Sequence, residues 1–211
     1  MPHRDVVLNI VRLGFAATAI VAMTYQFAAT AESGFEKASF FSFFTIQANL
    51  LAVATLLLLA IVRRAERTPL LDGVRSGVVL YMAITGVVFA LLLTGLQEEL
   101  QTTIPWVDFV VHKLMPLVLV VDWLIDPPRH RLPLKVVAAW VSYILAWFVY
   151  TLIRGGYVDW YPYPFVDVDL HGYGGVFVRS LFLLAGMVAA ALAFVWIGNR
   201  QVRRSSAAGG A

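Results

Sequence analysis

The sequence predicts an all-α, polytopic membrane protein: a bundle of six transmembrane helices with both termini in the cytoplasm. Three observations carry that expectation. Of 211 residues, 60% are hydrophobic and 14% charged, a balance too apolar for an ordinary soluble domain. The apolar residues fall in blocks near the ~20 residues that cross a ~30 Å hydrocarbon core. The segments between the blocks alternate between basic and acidic.

We read the spans at about 8–29, 39–62, 77–96, 106–125, 133–153 and 176–198. Span 1 is followed by Ala29-Thr30-Ala31, which looks like a signal-peptide cleavage site. Its apolar run exceeds the ~7–15 residues of a signal h-region, so it counts as a span. Span 2 opens with the aromatic run from Ser39, and span 4 with Pro105-Trp106, a tryptophan suited to the interfacial belt. Helix is the form required, because open sheet edges cannot face lipid. No polar stretch is long enough to fold alone. The chain therefore reads as one transmembrane domain over 1–211, with 199–211 as a flexible cytoplasmic tail.

The formal charge of +3 matters less than where the charges fall. One side holds Arg4 and Arg12, then Arg63, Arg64, Arg67 and Arg75, then Arg129, Arg131 and Lys135, then Arg200, Arg203 and Arg204. The other holds Glu32, Glu36, Glu98, Glu99, Asp159, Asp167 and Asp169. The positive-inside rule puts the basic side in the cytoplasm, and six spans return both termini there. The basic loops set topology and meet anionic lipid; they are too short for a nucleic-acid interface. Arginine prevails over lysine, the habit of GC-rich bacterial genomes, so a bacterial plasma membrane is the expected location. No cysteine is present, which removes disulfides, a thiol nucleophile and thiolate metal sites.

Polar residues within the spans are the functional signal, because a hydroxyl or imidazole is costly in hydrocarbon. Thr45 in span 2 and His112 in span 4 each lie ~9 Å in from the outer face at 1.5 Å per residue. A threonine needs a base to become a nucleophile, and a neutral imidazole serves near neutral pH. Asp108, four residues before His112, shares its helix face and can orient the ring. Asn49, four after Thr45, is an oxyanion candidate about a turn deeper. The plain alternatives are a threonine bonded to its own i−4 carbonyl and an asparagine joining helices. Pro116 should kink span 4, and Lys113 should pair with an acidic neighbour. Asp122 and Asp126 read as polar anchors at the cytoplasmic end.

The 5–6 connection, 155–175, is aromatic and stiffened by Pro162 and Pro164. It reads as a lid in the outer interface, with Trp160 and Tyr163 as substrate-contacting candidates. Arg154 and Arg179 flank it, to pair with its acids or receive a lipid carboxylate. The Asp167, Asp169, His171 alternation is too weak to read as a metal site. The Gly-x-Ser-x-Gly elbow, HExxH, the phosphate-binding loop and the dinucleotide fingerprint are absent. So is a seventh span with a Schiff-base lysine.

Three patches resemble the androgen-induced/androgen-dependent family of six-span membrane proteins and their bacterial Pr6Pr relatives. They are Phe44-Thr45-Ile46, then Pro105-Trp106 with Asp108, His112 and Pro116, then Tyr143-Ile144-Leu145 continuing to Trp160-Tyr-Pro-Tyr-Pro-Phe165. The family has Asn-x-x-x-His where this chain has Asp108 and His112, and its proline stands one residue further on. The resemblance implies a threonine hydrolase that cleaves fatty acid esters of hydroxy fatty acids, with Thr45 as nucleophile and His112 as base. It implies no cofactor and a membrane lipid ester as the partner molecule. Two other readings stay open on the residues alone. Asp108, His112 and Lys113 could relay protons in a transporter, or Thr45 and Asn49 could be glue in a non-catalytic membrane partner protein.

Overall fold

The computed structural model describes residues 2–32, 34, 36–100 and 104–209, with side chains from Asp5 to Arg204 among them. Every regular element in these residues is helical. The order is α1 (Pro2–Glu32), α2 (Lys37–Ser42), α3 (Phe44–Ile61), α4 (Pro69–Val88), α5 (Pro105–Phe109), α6 (Met115–Ile125), α7 (Lys135–Val158) and α8 (Val168–Gly209). Two π-helical segments, Phe89–Leu93 and Val110–Leu114, continue α4 and join α5 to α6. Five stretches are long and apolar enough to cross a membrane: Asp5–Glu32, Phe44–Ile61, Pro69–Leu93, Lys135–Val158 and Val168–Arg204. The chain is a multi-pass integral membrane protein.

Several elements depart from the expected bounds. Span 2 is not continuous: Phe43 is extended (φ −65, ψ 127) and separates α2 from α3. The third span starts earlier, at Pro69, where Thr68 accepts the Leu71 amide at 3.2 Å and the proline occupies the first turn. The stretch expected as span 4 is helical from Pro105 to Ile125 but passes through the π segment. The 5–6 connection lies outside α7 and α8 only over 159–167, which includes a 3-10 turn at Pro164–Val166. Asp159, in the left-handed region (φ 50), ends α7. Asp167 caps α8 through its carboxylate, which accepts the amides of Asp169 at 2.9 Å and Leu170 at 3.0 Å. Gly155 therefore sits inside α7, packed so closely on the Tyr161 ring that a Cβ would overlap it. α8 bends at Gly172 (φ 65) and runs through the expected tail to Gly209; Gly210 and Ala211 lie outside the described residues.

α1 packs along α3, α3 along α4, and α4 along α6. Lipid tails are as apolar as leucine, so small residues that allow close backbone approach take over the role of core side chains. Ala16, Ala19 and Ala22 on α1 and Ala48 and Ala52 on α3 are fully buried. Gly77 on α4 lies under Trp140, where a Cβ would come within 2.5 Å of the indole, and that indole donates to Gly73 O at 3.1 Å. α7 is thereby fixed to α4. Asn199 fixes α8, bonding both Leu132 N (2.7 Å) and Leu132 O (2.9 Å).

At the arginine-rich end, polar anchors and loop cations turn inward instead of facing lipid. Arg12 on α1 donates to Asp122 at 2.8 Å and to Asp126 at 2.6 Å. Arg75 on α4 donates to Asp122 at 2.8 Å and to the Asp126 carbonyl at 2.5 Å. Arg64 and Arg67 also pair with Asp126. The early start of α4 follows from this: Asp72 and Arg75 resemble loop residues in sequence, yet both are buried. Asp72 accepts from the His130 ring at 2.8 Å and from two loop amides.

Burial alone would raise the Asp126 carboxyl, but the hydrogen bond from Arg67, the field of Arg75 and the hydrogen bond from Arg12 hold it well below the ordinary carboxylate range. A depressed pKa gives stability that is complete above the unfolded value and lost as pH falls toward the folded one. Asp126→Ala should lower stability in detergent by about 3–5 kcal/mol, since it strands buried cations. The gap to wild type should hold between about pH 8 and 5 and narrow only below about pH 4. Melting curves of both proteins across that range check this.

Candidate functional site

The break at Phe43 creates the site. It interrupts the hydrogen-bond ladder in the bundle interior, where each unsatisfied backbone group is expensive. Three side chains answer it. The Trp147 indole donates to Ser42 O at 2.9 Å, Gln47 donates to Phe41 O at 3.0 Å, and the Tyr163 phenol accepts the Thr45 amide at 3.2 Å. Trp160, half-buried, meets the Phe43 ring edge-on at 5.5 Å. Thr45 thus lies in the first turn of α3, not mid-helix, and its hydroxyl is 3.2 Å from the Tyr163 hydroxyl. The bond to the i−4 carbonyl that a mid-span threonine would make is not the one observed.

Tyr163 comes from the short loop and is buried against this helix start. Burial pushes its phenol up, and hydrogen bonds from Thr45 and the Phe44 amide only partly oppose this. It stays a neutral hydroxyl, able both to accept and to donate.

His112 stands in the π segment Val110–Leu114 and is buried, as is Asp108. Its Nδ1 lies 2.9 Å from Asp108 Oδ1. Its ring stacks on Phe89, centroids 4.1 Å apart at 11°. With Nδ1 engaged and the ring held flat, Nε2 is the nitrogen left for a reacting group. Pro116 opens α6 close beside α4: a Cβ on Gly86 would lie 3.0 Å from Pro116 Cβ and 3.5 Å from His112 O. Lys113 is exposed and sits 5.7 Å above the Phe89 ring, with no ion pair among the described residues, where an acidic partner was expected.

Asn49 joins the two halves. Its amide nitrogen donates to Thr45 O at 2.9 Å and to Val111 O at 3.1 Å, tying α3 to the π segment. Both of its protons are committed, so it positions the helices and has none to offer an oxyanion; this replaces the role expected from sequence. Thr45, His112 and Tyr163 line one cavity, otherwise walled by residues such as Phe40, Phe43 and Val107. The cavity is small, ≈ 20 Å³, with room for about one water. No hydrogen bond joins Thr45 to His112 directly among the described residues.

Thr45 and Tyr163 also line a second cavity on their other side, with Ile144, Trp147 and Met187. Met187 in turn lines two larger apolar grooves, one of ≈ 140 Å³ between α7 and α8 and one of ≈ 450 Å³ between α4 and α8. The remaining candidates lie apart. Arg154 pairs with Glu36 at 2.5 Å and Ser39 at 2.9 Å and stacks over Trp160 at 5.7 Å, so its partner is the 1–2 loop and not the acids of its own loop. Arg179 is exposed on α8 and lines neither of the cavities that Thr45 lines. Among the described residues no three His, Cys, Asp or Glu side chains group as a metal site. No family model, curated protein or solved structure matches this chain.

Sequence reasoning missed the helix break and the roles of Trp147 and Phe89. No glycine or proline marks Phe43, and the stacking partners come from distant segments. Tyr163→Phe and Trp147→Phe should each destabilise the protein by about 1–3 kcal/mol, by orphaning a backbone group in the interior. Unfolding in detergent, read by tryptophan fluorescence for the first and circular dichroism for both, measures the loss.

Proposed function

We propose that this chain is an intramembrane lipid ester hydrolase with Thr45 as nucleophile and His112 as general base. The observation that carries the reading is the shared cavity: a threonine hydroxyl, a histidine already held at Nδ1 by a carboxylate, and a buried neutral phenol, in surroundings that are apolar apart from Gln26. In this reading the stretch 105–125 is a sixth span and both termini are cytoplasmic. The chain is then a bacterial relative of the androgen-induced/androgen-dependent hydrolases, and the substrate class is fatty acid esters of hydroxy fatty acids.

The Thr45 hydroxyl attacks the ester carbonyl and its proton passes to His112 Nε2, directly or through one water. Asp108 keeps the ring oriented and stabilises the imidazolium. The carbonyl oxygen, now carrying the charge, takes the Tyr163 O–H as its donor. Collapse expels the alkoxide, which takes the proton from His112. Water, deprotonated by His112, then attacks the acyl-threonine ester; the acid leaves and Thr45 regains its proton. No cofactor is needed. An acyl chain can lie in the apolar grooves that meet at Met187.

Purified protein should hydrolyse long-chain esters and be labelled by a fluorophosphonate at Thr45. Thr45→Ala and His112→Ala should each lower turnover at least about 100-fold with helical content unchanged. Labelling that persists in Thr45→Ala would refute the assignment, and proton-coupled transport in vesicles without any adduct would favour the carrier. Met187→Trp, which narrows the grooves, should raise KM for long-chain esters and leave short-chain esters little changed.

A further inference from the structure

The arginine cluster holds more positive charge than its own acids neutralise, and it borders an open pocket. That pocket, ≈ 260 Å³, lies between the start of α1, the end of α3 and the loop that follows. Arg12, Arg63, Arg64 and Arg67 line it against the carboxylates of Asp5 and Asp126. Four guanidinium groups facing two carboxylates leave two positive charges, and adding the Arg75–Asp122 pair behind them changes nothing. The end of the α3 dipole supplies only about half a negative charge.

Arg67 sharpens the point. Its side chain is 1% exposed and its Nη2 bonds Asp126, but its buried Nε and Nη1 have no hydrogen-bond partner. Three N–H donors of a buried guanidinium at the pocket wall are thus unanswered, a costly state. Arg63 is exposed and forms no ion pair among the described residues. Forked donors converging from several directions suit a tetrahedral dianion better than a single carboxylate.

We propose that this pocket binds a phosphate group, carried either by a lipid headgroup or by a free phosphate. A basic pocket between helices at the end of a bundle lies where anionic headgroups are found. The site is separate from Thr45 and does not depend on the hydrolase reading.

The test uses the full chain in phosphatidylcholine nanodiscs and reads the thermal midpoint. One arm titrates inorganic phosphate against chloride at constant ionic strength. The other replaces part of the lipid with phosphatidic acid, or with the same fraction of phosphatidylglycerol as a charge control. A saturable rise with inorganic phosphate identifies a free phosphate ligand. A rise with phosphatidic acid beyond that of phosphatidylglycerol, without an inorganic response, identifies a headgroup. In either case Arg63→Gln, at an exposed and unpaired position, should weaken binding about tenfold. Arg64→Gln provides a second variant with the same expectation. No rise in either arm, a rise equal to that of phosphatidylglycerol, or a rise unaffected by both substitutions overturns the proposal.

Discussion

The arrangement depends on one local event, the loss of helical geometry at Phe43 in the interior of the bundle. A span can be broken at membrane depth only where protein replaces the missing backbone partners. Here an indole from α7 and a phenol from the loop beyond it do so. The break and the closing loop therefore require one another. Without the loop the start of α3 has a bare amide; without the break the Tyr163 hydroxyl has no buried partner. Thr45 owes its place beside a second hydroxyl to this mutual dependence, and Asn49 extends it to the π segment bearing His112.

The two ends of the bundle solve the same problem differently. Around Phe43, side chains satisfy the backbone one bond at a time. At the other end two carboxylates gather four guanidinium groups from α1, α4 and the loop between α3 and α4. Ion pairs buried this way give little net stability over apolar packing, but they fix which helices meet and at what height. α6 and the residue that caps it supply the two carboxylates at one end and, through the π segment before it, the histidine at the other. The two regions share a single rigid reference.

Much of the fold was legible because hydropathy reports on lipid exposure. The apolar blocks mark where helices run, and their polar exceptions mark Thr45, Asp108 and His112. What was not legible shares one physical cause. Asp72 and Arg75 look like loop residues until their partners, forty or more positions away, are known. Phe43 sits among similar aromatics, and its extended geometry comes from Trp147 and Tyr163, not from local preference. Asn49 has the composition of an oxyanion donor, but the carbonyls of Thr45 and Val111 claim it. The glycines and aromatics of 155–175 read as one long loop, although most of that stretch is helix.

The π-helical turns under Phe89 and His112 carry a further implication. A π turn accommodates one residue more than an α-helix of the same rise. The angular offset it introduces lets the imidazole lie flat on the phenylalanine while Asp108 still reaches Nδ1. Chain length at these two places is thus under the same constraint as residue identity. Removing a single position from 110–114 would rewind the turn and swing the ring away, even with every named side chain left in the sequence.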